Sequence, residues 1–303
     1  MSMPTSEVTP ERVLHRLDWQ VIRRLDGLLQ GDYRSLFRGF GLDFADLREY
    51  QATDDIRYID WNVTARMDTP YVREYTEDRE VSAWFLLDMS PSVDFGTMQA
   101  RDGKRAVLID FVTVLARLLT RHGNRVGAVM FGNGNQQLIP ARGGKMQVLR
   151  LINDMLKQPR QTQAPFTDLR LVLRGALNSI KKRSLIFVIS DFISAPGWES
   201  PLSLLNQHHE VVAIRLWDQA EMELPDLGML VMQDAETGEQ LYVDTHDRKF
   251  RNRFQSAMQQ RESGLKQSFK RAGVDLLSLS TQEDMVRAIV GFAEKRKQMR
   301  RVR

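Results

Sequence analysis

The chain has 303 residues, of which 42% are hydrophobic and 27% are charged, as in ordinary globular proteins. It contains no cysteine, which excludes disulfides, thiolate nucleophiles and cysteine-ligated zinc. No segment approaches the roughly 18 to 20 apolar residues that a membrane-spanning helix needs, and the polar N-terminus lacks the apolar core of a secretory signal. We therefore expect a cytoplasmic protein.

The formal net charge of +4 is concentrated at the C-terminus. Residues 291–303 contain six basic side chains and one acidic side chain, which leaves a net charge of −1 for the rest of the chain. We predict a basic C-terminal helix whose charges are solvated and complement the helix dipole. Contact with nucleic acid through this tail is the alternative, but the body of the protein offers no positive field to support it.

The N-terminal part, residues 1–79, begins with a helix and continues as an irregular segment. Apolar residues recur at helical spacing between Pro10 and Gly31. Residues 32–80 are rich in Arg, Asp and Tyr, which indicates loops and short strands held by ion pairs, with Tyr58 and Trp61 packed inside; the alternative is a binding surface. We expect this part to pack on the following domain rather than to fold alone, because it has too few periodic apolar residues to bury a core.

Strands and helices alternate through the second part, residues 80–303. The predicted strands are 81–87, 125–131, 184–190, 211–216 and 274–279, with 136–140 returning antiparallel to 125–131. The predicted helices are 104–121, 146–156, 169–180, 202–208, 248–271 and a last one from Gln282, capped by Thr281. A hairpin is predicted near 229–243. This alternation predicts an α/β domain with a mostly parallel central sheet flanked by helices.

Oxygen-bearing side chains follow the ends of the predicted strands. Asp88, Ser90 and Ser92 follow the first strand, Thr167 precedes a helix, and Asp191 follows the strand 184–190. Because ligands of open α/β sheets bind beyond the carboxyl ends of the strands, and carboxylates and hydroxyls suit hard cations, these five residues predict a Mg²⁺ or Mn²⁺ site. The alternative is structural, with Ser90 and Ser92 capping the next helix and Asp88 bracing the loop.

Other candidate metal or phosphate ligands are weaker. His208 and His209 are adjacent and precede a strand, which is typical of surface histidines. Gly132, Asn133 and Gly134 form a predicted hairpin turn rather than a phosphate-binding loop, because no Lys-Ser or Lys-Thr pair follows them.

The five oxygen ligands resemble the metal-ion-dependent adhesion site of von Willebrand factor A domains. A second, more specific resemblance lies upstream and is carried by Gly39–Phe44, Leu47–Tyr50, Asp54–Trp61 and Ala65–Arg66. These segments resemble the signature of the family called domain of unknown function 58, over about residues 30 to 300. One departure is Ala52-Thr53, where members of the family usually have a Pro-Gly or similar turn.

This resemblance implies a von Willebrand factor A-like fold with an N-terminal extension, and a partnership with MoxR-type AAA+ ATPases. The protein would then be a non-enzymatic, metal-dependent adaptor in the assembly of other complexes, with an acidic side chain of the ATPase or its client bound at the metal. We assign no catalytic residue and no organic cofactor. The enzymatic alternative is a Mg²⁺-dependent phosphohydrolase using Asp88. It is disfavoured because Ser90 stands where a general acid is needed and no lysine is obviously placed to neutralise a phosphoaspartate.

Overall fold

The computed structural model describes residues 8–28, 46–51, 56, 59, 61–67, 69–74, 82–95, 103–132, 136–160, 168–233 and 239–301. Its strands are β1 (Asp46–Glu49), β2 (Tyr71–Glu74), β3 (Ser82–Asp88), β4 (Arg125–Phe131), β5 (Gln137–Arg142), β6 (Leu185–Ser190), β7 (Glu210–Trp217), β8 (Met229–Gln233), β9 (Gln240–Asp244) and β10 (Asp275–Ser280). Its helices are α1 (Pro10–Leu17), α2 (Arg23–Leu28), α3 (Trp61–Met67), α4 (Gly103–Arg121), α5 (Lys145–Lys157), α6 (Leu169–Ser179), α7 (Glu199–His208), α8 (Arg248–Ala272) and α9 (Met285–Arg301). Thr167 and most of the upstream signature, including Tyr58, lie outside the described residues.

The central sheet has the strand order β10-β7-β6-β3-β4-β5. Neighbouring strands run parallel except for β5, which is antiparallel to β4 and shifted in register by an irregularity opposite Val126 and Ala128. The predicted mostly parallel α/β sheet is therefore confirmed, including its antiparallel edge. The inner strands are nearly continuous apolar runs because helices cover both of their faces.

Alternate residues along each strand face the two helical layers. On β3, Phe85 and Leu87 point to one layer and Leu86 to the other. The first layer contains α1, α2, α4, α5 and α9, and the second contains α6, α7 and α8. The two-residue period of the strands thus divides the apolar side chains into two cores that hold the sheet between them.

The N-terminal helices belong to the first of these cores. A five-residue π-helical stretch, Asp18–Ile22, joins α1 to α2, and Leu14 and Leu25 are fully buried in the same cluster as the sheet. Farther along, β1 and β2 pair as a separate antiparallel ribbon. The expected packing of Trp61 is wrong, because its side chain at the start of α3 is 70% exposed.

Two local predictions near the last strands are also wrong. The final helix begins at Met285 and is capped by Asp284, whose carboxylate accepts hydrogen bonds from the amides of Val286 and Arg287. Thr281 instead donates its hydroxyl proton to Asp218 at 2.7 Å. His209 is buried rather than on the surface.

The predicted hairpin forms a separate two-stranded sheet of β8 and β9. Met229, Val231 and Tyr242 on it are exposed. No helix in the described part of the chain is both long enough and apolar enough to span a membrane.

The basic C-terminal helix is confirmed as a helix, but one of its charges is not solvated. The Arg296 side chain is buried in α9 and donates to Glu210 at 2.5 Å and to Asp275 at 2.6 Å. This arginine therefore ties the helix to the starts of β7 and β10 and is not available to a partner.

Candidate metal-binding site

The central strands β3 and β6 lie side by side and parallel, so their carboxyl ends open at the same edge of the sheet. Asp88 is the last residue of β3, Ser190 is the last residue of β6, and Asp191 follows it. The fold therefore brings two of the five predicted ligands together, as their places after apolar strands predicted. All three side chains are buried.

Asp88 is held by neutral hydrogen-bond donors. The Ser190 hydroxyl donates to one carboxylate oxygen of Asp88 at 2.6 Å, and the Ser90 amide donates to the other at 3.0 Å. Burial, followed by the negative charge of Asp191, raises the pKa of Asp88 to about 7, although these hydrogen bonds act in the opposite direction. Asp88 is thus a buried carboxyl group without sufficient positive charge nearby.

Ser90 and Ser92 connect the two aspartates. Their hydroxyl oxygens are 3.0 Å apart, and Ser92 also hydrogen-bonds to the carboxylate of Asp191. Ser90 precedes the short 3₁₀ helix Pro91–Asp94 but makes no side-chain capping bond to it. The hydroxyls therefore face the two carboxylates, and the capping alternative does not hold for Ser90.

Gly132, directly after β4, is needed for the shape of this loop. Its φ of +110° lies in the region that favours glycine, and a Cβ atom there would lie 2.4 Å from the backbone nitrogen of Ser90. The loop is also tied to β4 by the Met89 amide, which donates to the Phe131 carbonyl at 2.7 Å. Close approach of the two backbones fixes the turn that carries both serines.

Lys104 is the charged residue of the candidate site that the sequence analysis missed. Its side chain is fully buried in the first turn of α4, and its ammonium group donates to Asp191 at 2.8 Å and to Glu221. The sequence analysis expected no lysine placed to neutralise a phosphoaspartate at Asp88; Lys104 lies in the same group of residues, but it binds Asp191. A signal was present in the sequence, since Lys104 begins a helix that is apolar nearly all round.

Lys104, Asp191 and Glu221 stabilise one another in their ionised forms. Burial alone would lower the pKa of the ammonium, but Asp191 and Glu221 more than offset it and raise the pKa of Lys104 above its ordinary value. Burial likewise opposes the charge of Asp191, yet Lys104 and the bonds from Ile193 and Ser92 hold the pKa of that carboxyl below its usual range. At neutral pH, Lys104 and Asp191 are both ionised.

Phe192, next to Asp191, has a left-handed backbone with a φ of 57°. Such a conformation costs about 1–3 kcal/mol in a bulky residue and persists only where the surrounding structure holds it. Here the ring of Phe192 is buried and meets Phe269 edge-on, with centroids 4.8 Å apart, and Trp198 at 5.5 Å. Aromatic packing thus holds the strained residue that turns the chain after Asp191.

The residues present suit a divalent cation at Asp88. One carboxylate short of positive charge and two serine hydroxyls are hard oxygen donors of the kind that Mg²⁺ and Mn²⁺ prefer. Asp191 is already engaged by Lys104, Ser92 and the Ile193 amide at 2.9 Å, so it suits a supporting role better than a direct bond. Among the described residues no three carboxylate or imidazole side chains form a metal-binding group, so any site depends on the hydroxyls.

Two solved structures are similar to parts of this chain. One is the conserved hypothetical protein BatB from Bacteroides thetaiotaomicron, with a TM-score of 0.46 and 15% identity, covering 72% of this chain and 99% of that chain. The other is the SpRpn10 VWA domain, with a TM-score of 0.38 and 11% identity, covering 70% of this chain and 94% of that chain. At these scores the likeness says nothing of function.

The relatives in sequence are closer. An uncharacterized protein of Mycobacterium tuberculosis (strain ATCC 25618 / H37Rv) is 33% identical over 284 residues, which are 94% of this chain and 89% of that protein. Residues 46–264 match the family described as "Protein of unknown function DUF58", a stretch that runs from β1 into α8 and includes both aspartates and Lys104. The chain belongs to this family.

Proposed function

We propose that this protein is a non-enzymatic interaction module whose binding depends on a Mg²⁺ or Mn²⁺ ion held by Asp88, Ser90 and Ser92. The observation that carries the proposal is the state of Asp88, a buried carboxyl group whose partners in the described part of the chain, Ser90 and Ser190, are both neutral. A buried carboxylate normally has a cation close by. A divalent ion would supply that charge, and Thr167 is retained as a further proposed ligand.

The proposed partner is a MoxR-type AAA+ ATPase or its client, as the family resemblance implies. The ion would act by attracting an acidic side chain of that partner. Asp191 would support the site through Ser92, with which it shares a hydrogen bond.

The test is the affinity of the chain for a purified MoxR-type ATPase from the same source, with Mg²⁺ and with EDTA. Asp88→Asn removes the charge of the first ligand while keeping its shape, and Glu11→Ala removes an exposed carboxylate of α1 as the matched control. We expect Asp88→Asn or EDTA to weaken binding at least tenfold, about 1.4 kcal/mol, and Glu11→Ala to leave it unchanged. Equal affinity under all these conditions would place the contact elsewhere.

The second candidate is a Mg²⁺-dependent phosphohydrolase using Asp88, because Lys104 adds a buried cation beside the neighbouring Asp191. Two features count against it. Asp88 is fully buried, and Ser90 cannot act as a general acid at neutral pH. Mg²⁺-dependent hydrolysis of p-nitrophenyl phosphate that is lost in Asp88→Asn would favour this candidate over the interaction module.

A further inference from the structure

Lys104 gives the candidate site a positive charge of its own. The Lys104 ammonium binds the carboxylates of Asp191 and Glu221, and Asp88 is linked to Asp191 through Ser90 and Ser92. With all groups ionised, these three carboxylates and one ammonium carry two more negative than positive charges. Arg215 of β7 lies nearby and pairs with Glu262 of α8, and its charge also acts on Glu221 and Asp191. A divalent cation at Asp88 would therefore enter a group whose charge is already partly neutralised by Lys104.

We propose that Lys104 and Glu221 set the affinity of this site for divalent cations, in opposite directions. Lys104 lowers the affinity because its ammonium repels an arriving cation, and it keeps Asp191 in place when no cation is bound. Glu221 raises the affinity because its carboxylate offsets the charge of Lys104. This inference rests on the proposed function, since it concerns the same cation site.

Both charges are fixed in position, so their effect is permanent. The Lys104 side chain has no exposed surface, and its ammonium lies 5.8 Å from the ring centre of Phe95. The Lys104 amide donates to the Phe95 carbonyl at 3.2 Å. Gly103 has a φ of +68°, and a Cβ atom there would lie 2.9 Å from the same carbonyl oxygen, so helix α4 starts close against the loop. The lysine cannot turn out to solvent without moving this start.

Glu221 is held as firmly from the other side. Its second carboxylate oxygen accepts the Asp218 amide at 3.1 Å, while Asp218 caps the same short turn through the Ala220 amide at 2.9 Å. The Glu221 side chain is 20% exposed, which makes it the most accessible carboxylate of the group. Charges fixed within a buried group interact more strongly than charges in water, so removing either one has a measurable effect on cation binding.

The experiment is titration of the full chain with Mn²⁺, followed by calorimetry and by the electron paramagnetic resonance signal of free Mn²⁺. The variants are Lys104→Met, Glu221→Gln and the double variant, and Lys145→Met removes an exposed lysine of α5 as the control. We expect Lys104→Met to bind Mn²⁺ at least tenfold more tightly and Glu221→Gln at least threefold more weakly. The double variant, which keeps the net charge of the wild type, and Lys145→Met should both stay within threefold of it.

A purely structural role for Lys104 predicts a different pattern, in which all three site variants bind Mn²⁺ more weakly. That pattern, or unchanged affinity in Lys104→Met, overturns the inference. Circular dichroism shows whether Lys104→Met folds. If it does not, the inference is supported when Glu221→Gln binds Mn²⁺ more weakly and the double variant binds it as tightly as the wild type, and it is overturned otherwise.

The two proposals fail separately. Wild-type binding of Mn²⁺ without tighter binding by Lys104→Met refutes only the inference about Lys104. Binding by Lys104→Met but not by the wild type supports the inference and refutes metal dependence of the natural protein. Absence of binding in both chains refutes both proposals.

Discussion

Replacing Asp88 by asparagine should stabilise the cation-free protein at alkaline pH. The raised pKa of Asp88 has a definite sign in the folding equilibrium. A carboxyl group that holds its proton more tightly in the folded state makes folding less favourable once it ionises. The favourable contribution of Asp88 to the free energy of unfolding is complete below pH 3.8 and is lost as the pH rises to about 7. The asparagine side chain of the variant has no proton to lose and can still accept one of the two hydrogen bonds.

The size of the effect follows from the two pKa values. Each pKa unit corresponds to about 1.4 kcal/mol, so a rise from 3.8 to about 7 makes the penalty on the order of 4 kcal/mol at pH 8. About 3 kcal/mol of this penalty arises between pH 5 and pH 8. Other groups also make stability depend on pH, including His209, whose pKa is lowered by burial and then by His208 and Arg183. They are common to both proteins and cancel in the difference.

The measurement is urea unfolding in EDTA, followed by tryptophan fluorescence, at pH 5 and at pH 8 for the wild type and Asp88→Asn. We expect the stability of the wild type relative to the variant to fall by about 3 kcal/mol between the two pH values. Excess Mn²⁺ at pH 8 should stabilise the wild type and not the variant. A difference that stays constant within about 1 kcal/mol would show that Asp88 is not a buried carboxyl of raised pKa, and the reasoning would fail.

Two further predictions concern the frame of the site and the C-terminal helix. Gly132→Ala should destabilise the fold by about 2 kcal/mol or more, because its Cβ atom would meet the Ser90 backbone; Gly144→Ala, also at positive φ but with nothing within 4 Å, should cost about 1 kcal/mol in chemical unfolding. Arg296→Ala should cost about 2–3 kcal/mol of unfolding free energy, because it removes the buried guanidinium that donates to both Glu210 and Asp275. The exposed Arg287→Ala is its control, and equal losses in the two would mean that the buried ion pairs contribute nothing.

That Asp88 and Asp191 lie together was predictable because it follows from strand direction alone. Asp88 and Asp191 each come after a continuous apolar strand, and parallel strands deliver their carboxyl ends to one edge. Ser90 and Ser92 lie in the turn that begins at Asp88, so their place near the aspartates was predictable as well. None of this needed knowledge of how the helices pack.

The position of Lys104 beside Asp191 could not be predicted in the same way, because it depends on how helix α4 packs against the sheet. A lysine in an apolar helix usually extends its charge to solvent. Here α4 starts close against the Phe95 loop, and the ammonium is bound by Asp191 and Glu221. Glu221 is 117 residues away in sequence and meets Lys104 only in the folded chain. The prediction that Trp61 is packed inside was wrong for a related reason. A segment without apolar periodicity does not indicate which of its aromatic side chains are buried.

The antiparallel edge of the sheet limits how copies of this protein can associate. Pro140 lies within β5 and has no amide hydrogen to offer an added strand, and the shift in register against β4 interrupts the even spacing of the hydrogen bonds. An incoming strand would find a broken template along this side, which disfavours edge-to-edge polymerisation. The proline and the register shift together make this edge of the sheet a poor partner for an added strand.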